Sequence, residues 1–130
     1  MIHPYDLIGM NYRLGASPEK HNAADCLTLA VAVLTWHGVA TPQPQRSWYR
    51  RLYRGDTSVF QNELERWGQH LDAPKIGTVA LCKSETGLGM ASYFETGWIA
   101  FKESAVTWSP IDALLVVELY CPANLNYVSS

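Results

Sequence analysis

The stretch at residues 25–36, DCLTLAVAVLTW, constrains the fold more than any other part of the chain. Nearly every position in it is apolar or small, and Gly38 follows as a C-terminal stop. A run that long and apolar on all sides predicts a helix buried at the centre of a domain. Val31 and Val33 leave a strand open as a reading, but the length of the run and the glycine stop favour the helix. Cys26 stands at its head. The thiolate is the reactive form of cysteine, and a helix N-terminus lowers its pKa through unpaired N–H groups and the macrodipole. The competing reading makes Cys26 a small buried hydrophobe, which is what most free cysteines are.

The first half of the chain reads as helices. Residues 4–10 form a short one, with Pro4 at the first helical position and Asp6 in the first turn. NYRLGASPEKHN is loop chemistry, and TPQPQ at 41–45 is a proline-marked connector. In RSWYRRLY, Trp48, Tyr49, Leu52 and Tyr53 make a helical stripe. Ser58 and Gln61 then form a capping-box pattern, opening a helix over about 59–70 that carries Val59, Phe60, Leu64 and Trp67. The second half changes period. KIGTVALCK, GMASYFE, GWIAFKE, AVTW and LLVVELYCP are short, rich in β-branched and aromatic residues, and punctuated by Gly, Ser or Pro. Gly97 marks a hairpin turn, and alternation places Gly89, Ala91 and Tyr93 on one face and Leu88, Met90, Ser92 and Phe94 on the other. Helices followed by an antiparallel meander predict a two-layer α+β fold.

Composition narrows the function classes. At 130 residues, 48% hydrophobic and 17% charged, the chain is expected to be a single soluble domain over 1–130. A net charge of -2 gives no global field for nucleic acid or an anionic membrane. Cys26, Cys82 and Cys121 are an odd, widely spaced set, which argues against a disulfide framework and suits a reducing compartment. The opening MIHPYDLIGMNY lacks the pattern of a secretory signal, and no apolar run is long enough to span a bilayer. The histidines and cysteines show no metal-ligand spacing, and no phosphate loop is present, so neither a metal nor a cofactor is expected.

The segment LIGMNYRLGASPEKHNAADCLTLAVAV resembles the N-terminal motif of the NlpC-type cell-wall peptidases, a papain-like cysteine peptidase family. In that motif a short helix leads into a Tyr-x-Trp-Gly-type loop and then Asp-Cys at the start of a central helix. Tyr12, Gly15, Asp25 and Cys26 match it, while Leu14 stands where tryptophan is usual and Asn11 where proline is common. Further on, APKIGTVALCK is similar to the family's Pro-x-x-Gly-Asp-Val-x-Leu strand, with Thr78 for the aspartate. GMASYFETG is similar to its His-Val-Gly-Ile-Tyr hairpin, with Tyr93 and Gly97 in register. The arginine-bearing aromatic insert after VATPQPQ is similar to insertions in phage tail-tip members. The resemblance implies a papain-like NlpC-type domain, in which a central helix bearing Cys26 packs on a small antiparallel sheet. It also implies that Cys26 is the nucleophile and that Tyr12 and Asp25 lie at the substrate.

The departure from the family falls on the base. Alignment on Tyr93 and Gly97 puts Gly89 at the position of the catalytic histidine, and WIAF supplies no polar residue to orient one. A cysteine peptidase needs an oriented base within hydrogen-bond reach. His37 lies eleven residues along the helix from Cys26, roughly 16 Å away. His3, His21 and His70 read as solvated or capping residues, with no imidazole expected within about 4 Å of the sulfur. Two function classes follow. One is a structural or interaction component of a phage tail tip or baseplate on a degenerate peptidase fold, located in the virion or in the cytoplasm before assembly. The other is an active cysteine endopeptidase or amidase cutting peptidoglycan cross-peptides. In the first class Trp48, Tyr49, Arg50 and Arg51 are the expected partner-binding residues, since arginine and aromatics are enriched in protein interfaces. The same stripe also fits a plain amphipathic helix with its aromatics in the core. Nucleic acid comes last, because the chain is mildly acidic.

Overall fold

The computed structural model describes residues 1–122. Its elements in chain order are α1 (Pro4–Leu7), β1 (Asn11–Tyr12), α2 (Pro18–His21), β2 (Ala23–Ala24), α3 (Cys26–Trp36), α4 (Arg46–Tyr53) and α5 (Ser58–Trp67). Then come β3 (Gly68–His70), β4 (Val79–Ser84), β5 (Gly87–Phe94), β6 (Gly97–Lys102), β7 (Ala105–Pro110), a 3-10 turn (Ile111–Ala113) and β8 (Val116–Pro122). The result is an α+β fold, with helices first and a curled sheet after them.

The apolar run is the central helix, as its composition dictates. Asp25 caps α3 by accepting from the Thr28 amide at 2.9 Å, and Thr28 Oγ1 accepts from the Asp25 amide at 3.0 Å. Such a reciprocal cap is worth about 1 kcal/mol. At the other end Gly38 takes φ +77°, a left-handed conformation that glycine adopts freely. Between the caps the helix works as a wedge with two buried sides. Leu27, Ala30 and Leu34 join Trp48, Val59, Phe60, Leu64, Leu81 and Met90 in one core. Leu29 and Val33 join Leu7, Phe94, Ile99 and Val106 in another. Each fully buried leucine or valine contributes about 2 kcal/mol by transfer from water.

The sheet is larger than the small antiparallel one expected, with eight strands in the order β2-β1-β7-β6-β5-β4-β8-β3 among the described residues. Three short strands account for the difference. β1 and β2 lie in what reads as loop and pair in parallel, and β3 lies where the sequence suggests the end of a helix. Strands of two or three residues are too short to show a period. The helix expected over 59–70 stops at Trp67, and residues 68–70 run extended beside β8, with Gln69 opposite Cys121. Ser58 is its first residue rather than its cap, and its hydroxyl is taken by Asp56 and Arg51. The helix at 4–10 likewise ends at Leu7.

The two faces of the sheet bury different things. Leu81, Met90, Phe94, Ile99 and Val106 face the helices. Ala80, Ala91, Trp98 and Ala100 form a third cluster on the opposite face, covered by Leu114, Leu119 and Tyr93. Trp98 is 1% exposed there, and its indole N–H donates to the Ile111 carbonyl at 3.0 Å. Small alanines around one large ring let the sheet curl over it.

The β5–β6 hairpin turns at Glu95 and Thr96, both left-handed at φ 47° and 56°, and not at Gly97. That is the two-residue turn whose twist suits a hairpin. Gly97 serves another purpose. A Cβ on it would run into the Trp108 ring and the Ser109 carbonyl on the neighbouring strand. Gly97→Ala is therefore expected to destabilise the protein by about 2 kcal/mol through overpacking. Urea unfolding of the variant checks this, and a change within experimental error would show that β7 yields without cost.

Candidate functional site

The head of α3 gathers the residues that the sequence marks. Asp25 is buried, with its carboxyl accepting from the amides of Gly15 at 2.8 Å and Thr28 at 2.9 Å. Thr28 Oγ1 donates in turn to the Ala16 carbonyl at 2.8 Å, which ties the loop after β1 to the helix. Tyr12 stands close enough for Cys26 and Asp25 to push its phenol upward, after the larger effect of burial. Tyr12, Asp25 and Cys26 are thus brought together as expected. Tyr49 joins them from α4. Its ionisation is pushed well above the usual phenol range, by burial first and then by the Asp25 carboxylate toward which its hydroxyl is directed.

Cys26 itself is half-buried against the core of Leu27, Met90 and Leu88. Its thiol is pushed up to about 11. Burial is the largest cause, the Met90 backbone amide opposes it, and the Asp25 carboxylate adds to it. Of the two readings of Cys26, these surroundings favour the small buried hydrophobe: desolvation disfavours the thiolate, and the capping residue beside it carries a like charge. Cys82 is pushed up to about 12, by burial first and then by Cys26. Cys121 is buried in β8.

The sheet meets the site at the strand position expected but on the other face. Leu88 and Met90 pack toward α3, while Ala91 and Tyr93, on Gly89's side, belong to the cluster around Trp98. Gly89 pairs with Cys82, and a Cβ there would meet nothing within 4 Å. The bulkier apolar side of β5 takes the helix face, because that side buries more area. Met90 rather than Gly89 is the sheet residue at the sulfur. Nothing but its place beside Gly89 signalled it in the sequence.

The four histidines have other roles. His3 caps α1, accepting from the Tyr5 amide at 3.1 Å, and packs edge-on to Trp36. His21 accepts from the Ser17 amide at 3.0 Å. His37 ends α3 and stacks on Phe94, with Nδ1 buried and unpaired; burial pulls its pKa down, favouring the neutral ring. His70 bridges two carboxylates, Glu65 at 3.1 Å and Glu118 at 3.1 Å. None is paired with Cys26.

The residues expected to bind a partner divide. Trp48 is buried in the core at 7% exposure, so it is not surface. Arg51 is held by Asp56 at 2.9 Å and by Ser58 at 2.9 Å. Tyr49 is half-buried at Asp25, and Arg50 is exposed. Among the described residues, no group of three or more His, Cys, Asp or Glu is placed to hold a metal ion, and no helix is long and apolar enough to cross a membrane. Compared with family models, with curated proteins and with solved structures, the chain matches none.

Two measurements follow from these environments. With a thiol near 11, only about one Cys26 in ten thousand is thiolate at pH 7, and Cys82 is a further tenfold down. Iodoacetamide labelling with peptide mapping should be slow at pH 7, accelerate about tenfold per pH unit up to pH 9, and modify Cys26 ahead of Cys82. Fast labelling of Cys26 at neutral pH would show an activated thiol. The second concerns His70, whose pKa is raised by Glu118 first and then by Glu65. The stability its bridge contributes is full below the unfolded value of about 6.5 and is lost as pH rises through the raised folded value. His70→Gln should therefore remove a fall in Tm that the parent shows as pH rises above about 6.5. An unchanged pH profile would mean that the bridge adds nothing.

Proposed function

We propose that the chain is an interaction component of a phage tail tip or baseplate, built on a papain-like NlpC-type domain that retains the nucleophile position and has lost the base. The observation that carries the reading is the state of Cys26. It heads the central helix beside Tyr12 and Asp25, yet its thiol is held protonated, three imidazoles are hydrogen-bonded elsewhere and the fourth, His37, stands at the far end of α3. Thiol-dependent amide hydrolysis needs a base to take the thiol proton and return it to the leaving amine. Here the sheet offers the thiol the Met90 backbone amide, which does neither.

The architecture supports the NlpC-type assignment, with the Asp-Cys helix packed on antiparallel strands β4 to β6. The tail assignment rests on the insert that forms α4, where Arg46 and Arg50, with Arg54 just beyond, face outward. Other tail or baseplate proteins are the partners in this reading, and peptidoglycan peptides are its ligand class, which could meet the exposed Tyr12 but not the buried Asp25. The location that goes with it is the virion, after a cytoplasmic stage before assembly.

Digestion of purified muropeptides, followed by mass spectrometry, tests the loss of activity. The protein and its Cys26→Ser variant are expected to give the same background. Turnover that disappears in Cys26→Ser would make the active endopeptidase or amidase the better reading. Mass spectrometry of purified particles tests the other half, and absence of the chain from them would overturn the tail assignment.

A further inference from the structure

We propose that the outer face of α4 is a docking groove for an extended acidic peptide segment of a partner protein. The inference deepens the interaction reading above, giving the partner a chemistry and moving the contact from Trp48 and Arg51 to other residues. Arg46, Arg50 and Arg54 fall at i, i+4 and i+8, with Tyr49 and Tyr53 interleaved at helical spacing. These five side chains line a shallow groove. All three arginines are exposed, and among the described residues none makes an ion pair or a side-chain hydrogen bond. Tyr53 is 85% exposed.

Part of this arrangement works against the helix that bears it, although Arg50, in the last turn, stands where the macrodipole favours a cation. Like charges four residues apart weaken a helix by a few tenths of a kcal/mol per pair. Arg46 also places a cation at the positive end of the macrodipole, with no acidic residue in the first turn to offset it. A chain of net charge -2 thus gathers three unneutralised guanidinium groups on one strip, and an anionic partner would relieve the repulsion.

Spacing and surroundings favour a peptide as that anion. Successive arginines of the stripe rise about 6 Å along the axis. Alternate residues of an extended chain are about 6.7 Å apart. Carboxylates on every second residue therefore meet successive guanidinium forks, a bidentate pairing that arginine makes well. The groove is confined to the stripe itself, and a chain of net charge -2 gives no wider positive field for a phosphate polymer, whereas a short acidic peptide needs only the three arginines.

Fluorescence anisotropy on the intact protein tests this, with four labelled probes at low salt. They are an eight-residue alternating Glu-Val peptide, the same residues in blocks, an alternating Lys-Val peptide and oligodeoxythymidylate. The alternating acidic peptide is expected to bind about fivefold tighter than the block peptide, and binding should weaken as salt rises. Arg50→Gln with Arg54→Gln should cost about tenfold or more in affinity at unchanged Tm. Tighter binding of the oligonucleotide would overturn the peptide in favour of nucleic acid. No binding of the alternating peptide, or equal binding by the double variant, would also overturn it. Particle assembly with the double variant separates the two levels. Lost assembly without peptide binding removes only the acidic-peptide assignment, whereas normal assembly removes the interaction role of α4.

Discussion

The Asp25 carboxyl is the point at which the first half of the chain is held together. It is 1% exposed, and a buried carboxylate is costly unless donors surround it. Gly15 brings the loop after β1 and Thr28 brings the first turn of α3, while Tyr49 of α4 lies close by. Hydrogen bonds to a charged group are worth about 1.5–3 kcal/mol each, so a few of them order segments that have little apolar surface of their own. The same charge sits beside Cys26 in the chain. The cap that builds the site therefore opposes ionisation of the thiol it presents. A hydrolytic site on this frame would need a cation at the sulfur to offset Asp25, and the sheet supplies Met90 instead.

Packing explains why the sheet offers a methionine. Along β5, Leu88, Met90 and Phe94 alternate with Gly89, Ala91 and Tyr93. The side bearing the larger aliphatic groups gains more by facing α3, and the small side closes over Trp98. A one-residue slip would exchange the faces and bury the small side against the helix, with a loss of several kcal/mol of apolar burial. The register is thus fixed by the core, and the environment of Cys26 follows from it.

Much of this was legible in the residues. The central helix, its Asp25 cap and Gly38 stop, the four long strands from β4 to β7, β8 and the α+β class all follow from period and punctuation. The cluster of Tyr12, Asp25 and Cys26 followed from a motif. What was not legible depends on partners distant in sequence. The short strands β1 and β3 pair with the edges that β7 and β8 offer, and β2 pairs in turn with β1, which no local pattern announces. The face of β5 depends on what lies across from it. Burial of Cys26 is set by Met90 and Leu88, more than sixty residues away, and it decides between the two readings that the helix head left open.

Helix α4 shows how one short segment serves two environments. Trp48 and Leu52 enter the core on one side, and Arg46, Arg50 and Arg54 remain in water on the other. Tyr49 lies between, apolar ring against the core and hydroxyl toward Asp25. Its anchoring aromatic is therefore unavailable as a contact surface, and the charged face is free of structural duty. Arg51 is the exception, since its pairing with Asp56 and Ser58 fixes the turn into α5. Tyr49 thus belongs to the packing beneath the arginine face and to the surroundings of Asp25 at once, so the segment that presents the charges is fixed from below by the core.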